Sequence, residues 1–146
     1  MMNWRESKKT IEYCELNNEF WMINEERKFD LEDRLVKFSV MIISLVESLP
    51  DDRAAVYLAN QLIKSGLSPA LNYGEAKSAE SINDFIHKMK ISLKELRESY
   101  VALKIIKAKP FLSKEDLLNQ CICECNELIA IFVKSIQTAD KNRKNK

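Results

Sequence analysis

The sequence predicts an all-α fold, an antiparallel up-down-up-down four-helix bundle, on three observations. Its 146 residues hold only two glycines and three prolines, too few turn formers for a many-stranded β fold. Four segments carry apolar residues at alternating spacings of four and three, the period that lays one stripe along a helix. Short polar connections join them, and short connections force neighbouring helices antiparallel. A chain of this length buries about two thirds of the surface its unfolded form exposes, so no disulfide staple is needed.

Residues 1–28 form an N-terminal extension. Trp4, Tyr13, Phe20 and Trp21 make it too apolar for a pure linker, yet no period holds across it. A short helix docked on the bundle or on a neighbour, and a disordered arm, are both open readings. The bundle spans 29–139. Its first helix begins at Asp30, whose carboxylate suits an open amide of the first turn, while Glu32 and Asp33 complement the dipole. Leu31, Leu35, Phe38, Ile42, Leu45 and Leu49 form its seam.

Pro50-Asp51-Asp52 ends the first helix and caps the second, expected from about Arg53 to about Lys77, with Ala55, Leu58 and Leu62 inward. Ser65-Gly66-Leu67-Ser68-Pro69 places a proline inside this helix and deprives the Ser65 carbonyl of its usual donor. A kink is expected there, with two separate helices as the alternative. Ser81 and Asp84 resemble a capping box and open the third helix, with a seam of Ile82, Ile86, Met89, Leu93, Leu96, Tyr100 and Leu103 closed by Lys109-Pro110. Ser113 and Asp116 suggest another box before the fourth helix, whose seam is Leu118, Cys121, Cys125, Leu128 and Phe132. That helix is expected to end near Thr138, leaving 140–146 as a basic C-terminal tail. Second stripes, Val36, Val40 and Ile43 on the first helix and Ile122, Ile129, Val133 and Ile136 on the fourth, suit either core or an oligomer interface.

The formal charge of +1 is unevenly spread. The segment 29–137 carries fourteen basic against fifteen acidic side chains, whereas the tail sets Lys141, Arg143, Lys144 and Lys146 against Asp140 alone. Ser81–Lys109 holds seven Lys and Arg against Asp84, Glu95 and Glu98. Both regions suit a polyanion. The amino terminus lacks the apolar run of a signal peptide, and no run of eighteen apolar residues occurs, so the reading is a cytoplasmic protein without a membrane partner. Four cysteines then fit reduced thiols.

Catalytic and metal chemistry find little support. Cys121 and Cys125 share an inward helix face while Cys123 points elsewhere, so small core residues are a better reading than a thiolate site. Asp84 and His87 have the spacing of one di-metal bundle element, but that chemistry needs the element on two helices and the chain has one histidine. A nucleophile would lack a base, and Gly66 and Gly74 alone cannot write a phosphate loop. Glu95 and Glu98 read as surface charges interleaved with Lys94 and Arg97. No catalytic residue, metal or cofactor is expected. Lys90, Lys94, Arg97 and Lys104, at spacings of four, three and seven, share one helix face that suits a phosphate backbone, and aromatic platforms for base stacking are not evident beside it.

Several runs carry a resemblance: Phe29-Asp30-Leu31-Glu32-Asp33-Arg34-Leu35; Gln61-Leu62-Ile63-Lys64-Ser65-Gly66-Leu67-Ser68-Pro69-Ala70-Leu71-Asn72-Tyr73-Gly74-Glu75-Ala76; Asp84-Phe85-Ile86-His87-Lys88-Met89-Lys90; Leu93-Lys94-Glu95-Leu96-Arg97-Glu98; and Glu124-Cys125-Asn126-Glu127-Leu128-Ile129. From about Phe29 to Ala139 the chain is similar to bacterial four-helix-bundle proteins, also called 23S rRNA intervening-sequence proteins. The resemblance implies a ring of identical bundles, five-fold in relatives, with no enzymatic activity. Related accessory variability determinant proteins of diversity-generating retroelements partner a reverse transcriptase and bind nucleic acid through a basic surface. Gly66, Ser68, Pro69 and Asn72 carry the Ser-Gly-x-Ser-Pro motif. Gly66 is expected to let helices approach, with Ser68, Asn72 and His87 in a buried polar network that fixes register. The expected function is a non-catalytic, homo-oligomeric nucleic-acid adaptor with RNA or DNA contacts at Lys88, Lys90, Lys94, Arg97 and Lys104. The alternative is a protein-interaction scaffold, with a reverse transcriptase or another protein as partner.

Overall fold

The computed structural model describes residues 30–146, so the readings made for the N-terminal extension lie outside the described residues. Four helices and no strand occur among them: α1 (Leu31–Glu47), α2 (Arg53–Lys77), α3 (Ile82–Ala108) and α4 (Asp116–Lys144). Successive helices pack together and α4 closes back on α1, with the α2–α3 contact the most extensive. Cross-helix pairs show the directions. Glu32 meets Lys77 and Ser39 meets Gly66 between α1 and α2. Glu75 meets Lys88 and Ser65 meets Ser99 between α2 and α3, and Lys107 meets Asn119 while Asn83 meets Arg143 between α3 and α4. In each case the numbers climb on one helix as they fall on the other, so each of these pairs is antiparallel.

Local chemistry accounts for most helix starts. Asp30 Oδ1 accepts from the amides of Glu32 and Asp33, at 3.0 and 3.3 Å. Asp52 Oδ1 accepts from Ala55 at 2.9 Å, and Ser81 Oγ from Asp84 at 3.1 Å. Each bond satisfies a donor that a helix start otherwise leaves open. The box expected at Ser113 and Asp116 does not form: Glu115 is the N-cap of α4 and makes no side-chain cap bond. Its backbone carbonyl does accept from Asn119 at 2.8 Å.

The core follows the predicted stripes of α1 and α4, with Leu35, Phe38, Ile42, Leu45, Cys121, Cys125, Leu128 and Phe132 fully buried. Tyr73 of α2 reaches Phe132 edge-to-face across the interior, ring centroids 6.2 Å apart. The α3 seam departs from the expectation. Ile82 is exposed and Leu93 and Tyr100 are only partly buried, while Ser92 and Ser99 occupy the inward line. Their small side chains let α2 approach, and their hydroxyls are satisfied: Ser92 bonds back to the Lys88 carbonyl and Ser99 Oγ to Ser65 Oγ at 2.8 Å.

Two further boundaries differ. The helix α2 runs unbroken through Pro69, which is buried, so the two-helix alternative does not apply. The fourth helix continues past Thr138 to Lys144, and the basic tail is its last turns. Lys141, Arg143 and Lys144 complement the negative dipole end, Asp140 pairs with Arg143 at 2.7 Å, and Arg143 also reaches Asn83 at 3.0 Å. No helix of the described residues is long and apolar enough to cross a membrane.

Candidate nucleic-acid interface

Lys90, Lys94, Arg97 and Lys104 all lie exposed along the outward face of α3. Lys90, Lys94 and Arg97 line a shallow, open depression with Leu93, Glu98 and Val101. Compensation on this face is slight. Lys94 meets Glu98 at 3.9 Å in an exposed pair, and such pairs contribute about 0–1 kcal/mol. Lys90 and Arg97 make no ion pair among the described residues. The ammonium of Lys104 sits 5.4 Å from the Tyr100 ring centroid, a cation–π contact on the flank of the basic face. Tyr100 is thus an aromatic neighbour that the sequence reading passed over, although its spacing of four from Lys104 marked it.

Lys88 does not join this face. Its ammonium bonds Glu75 of α2 at 2.6 Å, and that hydrogen bond, with the Glu75 charge behind it, raises its pKa. The expected anion set is therefore four residues on one face plus one lysine engaged elsewhere.

The structural set divides in the same way. A Cβ at Gly66 would lie 2.9 Å from Ile42 Cγ2, so glycine there sets the closeness of α1 and α2. Asn72 Nδ2 donates to the Ser68 carbonyl at 3.0 Å and to Ser68 Oγ at 2.8 Å, both residues half-buried. His87 is exposed and stands apart from that pair, which corrects its place in the expected buried network. The buried polar contact is Ser65 with Ser99 instead. Glu95 is also more than a surface charge, since its Oε2 is buried without a hydrogen-bond partner among the described residues.

A charge cluster that the sequence reading missed joins α1 to α4. Arg34 donates from Nε to Glu124 Oε1 at 2.6 Å and from Nη2 to Glu124 Oε2 at 3.0 Å, and it also pairs with Glu127. Burial pushes the Glu127 carboxyl up, Arg34 pulls it down and Glu124 pushes it up, leaving it raised. Of the cysteines, Cys121 and Cys125 are buried free thiols. Burial pushes Cys121 up to about 12 and Cys125 higher still, so both stay protonated at neutral pH, and Cys125 Sγ donates to the Leu96 carbonyl at 3.2 Å. Cys123 is buried too and disulfide-bonded, contrary to the expectation of reduced thiols throughout. Among the described residues no group of His, Cys, Asp or Glu is placed to hold a metal.

Residues 10–134 match the family described as 23S rRNA-intervening sequence protein, starting well upstream of the first recognisable run at Phe29. The chain belongs to that family. This family member is also similar to the crystal structure of a protein with unknown function from the S23 ribosomal protein family of Bacteroides thetaiotaomicron. The two superpose with a TM-score of 0.67 at 26% identity, over 73% of this chain and 98% of that one. No curated protein matches the chain.

Proposed function

We propose that this family member is a non-catalytic, homo-oligomeric adaptor that holds a nucleic-acid backbone against the outward face of α3. One observation carries the reading: four cations lie along one exposed helix face, three of them without an ion pair among the described residues and one in an exposed pair that costs little to break. Lys and Arg at such spacing meet phosphates without reading bases, so the adaptor is indifferent to sequence. The family's link to intervening sequences of 23S rRNA supports structured RNA as the first ligand to test. Protein–RNA titrations at low and moderate salt, with duplex DNA alongside, examine this. Binding that weakens steeply with salt and is lost in Lys94→Glu/Arg97→Glu is the expected result. Binding unaffected by that double variant sinks the proposal.

A protein-interaction scaffold is the competing reading, favoured by the near balance of charge over 29–137. It predicts complexes whose affinity is little changed by salt, because apolar docking is not screened.

A further inference from the structure

A second surface is distinguished by an absence of charge. On α1, Val36, Val40 and Ile43 recur at spacings of four and three and are 49%, 56% and 40% exposed. On α2, Val56 and Ile63 are 43% and 41% exposed, and Leu67, Ala70 and Gly74 carry the stripe onward at spacings of four, three and four. Both stripes border one groove, because Ser39, beside Val40, meets Gly66, beside Leu67. The chain is 31% charged. Even so, no stripe position bears a charge between the Glu32–Lys77 pair at one end and Glu47 at the other.

Gly74 points the same way. Its φ is not positive, so the backbone conformation does not call for glycine, and a Cβ there would meet nothing within 4 Å among the described residues. Glycine inside a helix is less stable than alanine. Packing among the described residues does not explain it, whereas the close approach of another helix to this stripe does.

We infer that the α1–α2 hairpin face is where the chain packs against a second copy of itself. The inference rests on the homo-oligomeric reading above and names its interface. Charge depletion over an extended apolar face is the mark of surfaces that stay covered, and interfaces between identical chains are the more apolar class. The size suffices: two packed helices about 25 Å long present on the order of 500 Å² per copy, or about 1,000 Å² for a pair, the lower bound of a specific interface. The basic residues of α3 lie on a helix outside this hairpin, so the interface does not draw on them.

Light scattering and sedimentation on the purified full chain test this, with Val40→Glu/Ile63→Glu and Gly74→Met beside the wild type and Val101→Glu on α3 as control. Val101 is 56% exposed and lies off the hairpin. The expected result is a wild type and control at the same multiple of the monomer mass, with both hairpin variants reduced to monomer at equal concentration and their helical circular dichroism retained. Gly74→Met decides the matter if the glutamates disturb the helices, since its side chain starts in open space. An assembled wild type whose hairpin variants keep its mass overturns the interface and leaves the homo-oligomeric reading standing. A monomeric wild type overturns both and indicates a different protein as the cover for this face.

Discussion

Two hydroxyls meet at the most extensive helix contact of the bundle. Ser65 and Ser99 are buried to 3% and 0% exposure and bond to each other at 2.8 Å, so each satisfies a group that burial strips of water. Ser99→Ala removes one partner and is expected to cost about 1 kcal/mol in urea denaturation. Ser65→Ala/Ser99→Ala is expected to cost no more than the single change, because neither chain then buries an orphaned donor. A double variant costing the sum of the two singles would assign the hydroxyls to separate partners. Gly66 makes the same point sterically. Its alanine variant gains about 0.5–1 kcal/mol of helix propensity but crowds the fully buried Ile42, and such overpacking costs about 1–3 kcal/mol, for a net loss. In an Ile42→Ala background the two closest crowding atoms, Cγ1 and Cγ2, are gone and only Cβ at 3.3 Å remains, so the same Gly66→Ala change is expected to lose most of its penalty or to stabilise. Retention of the loss there would place its cause in the helix backbone rather than in the α1–α2 contact.

Between elements, the α1–α4 contact depends on Arg34. With one guanidinium serving two carboxylates on the next helix, Arg34→Met leaves Glu124 and Glu127 facing each other in a half-buried site. Removing one partner of a fully buried pair costs about 3–5 kcal/mol, and the 29% exposure of Arg34 scales this to about 1–3 kcal/mol at pH 7. The sign with pH follows from the carboxyls. Burial and the Glu124 charge already raise the Glu127 carboxyl, and losing Arg34 removes what pulls it down, so the penalty is present at neutral pH and shrinks as pH falls and Glu127 takes up a proton. Denaturation midpoints at pH 7 and pH 4 are expected to show the gap between wild type and variant narrowing, and a constant gap would mean lost packing instead. The same contrast marks what the sequence made legible. Seams and caps are local, so the caps Asp30, Asp52 and Ser81, the α4 stripe and the α1 stripe as far as Leu45 follow from local spacing, as does the shared exposure of Lys90, Lys94, Arg97 and Lys104 on α3. Leu49, by contrast, lies past the end of α1 and is only partly buried. Partners distant along the chain do not follow from local spacing: Arg34 and Glu124 lie 90 residues apart, and nothing near Lys88 reveals that Glu75 holds it. Hydropathy placed Leu93 and Tyr100 on the α3 seam. The structure prefers Ser92 and Ser99, because closeness to α2 there outweighs apolar area.

At the scale of the whole molecule, attraction to a polyanion has to be local. A chain of net charge +1 casts almost no long-range field, and at physiological salt the Debye length is about 8 Å. The four cations of one α3 face therefore act only at contact, and affinity grows chiefly by presenting several faces to one nucleic acid. Salt dependence measures how many engage. Each phosphate neutralised on duplex DNA contributes about −0.9 to the slope of log affinity against log salt, so one face gives about −3.6 at most and two give about twice that. An oligomer that aligns its α3 faces on a single duplex is expected to exceed the one-face slope, and Lys94→Glu/Arg97→Glu to lower it by about 1.8 or more per engaged face. A slope below the one-face value that the double variant leaves unchanged would move the contact to the basic end of α4. There Lys141, Lys144 and Lys146 remain exposed, while Arg143 is drawn onto Asn83 and Asp140.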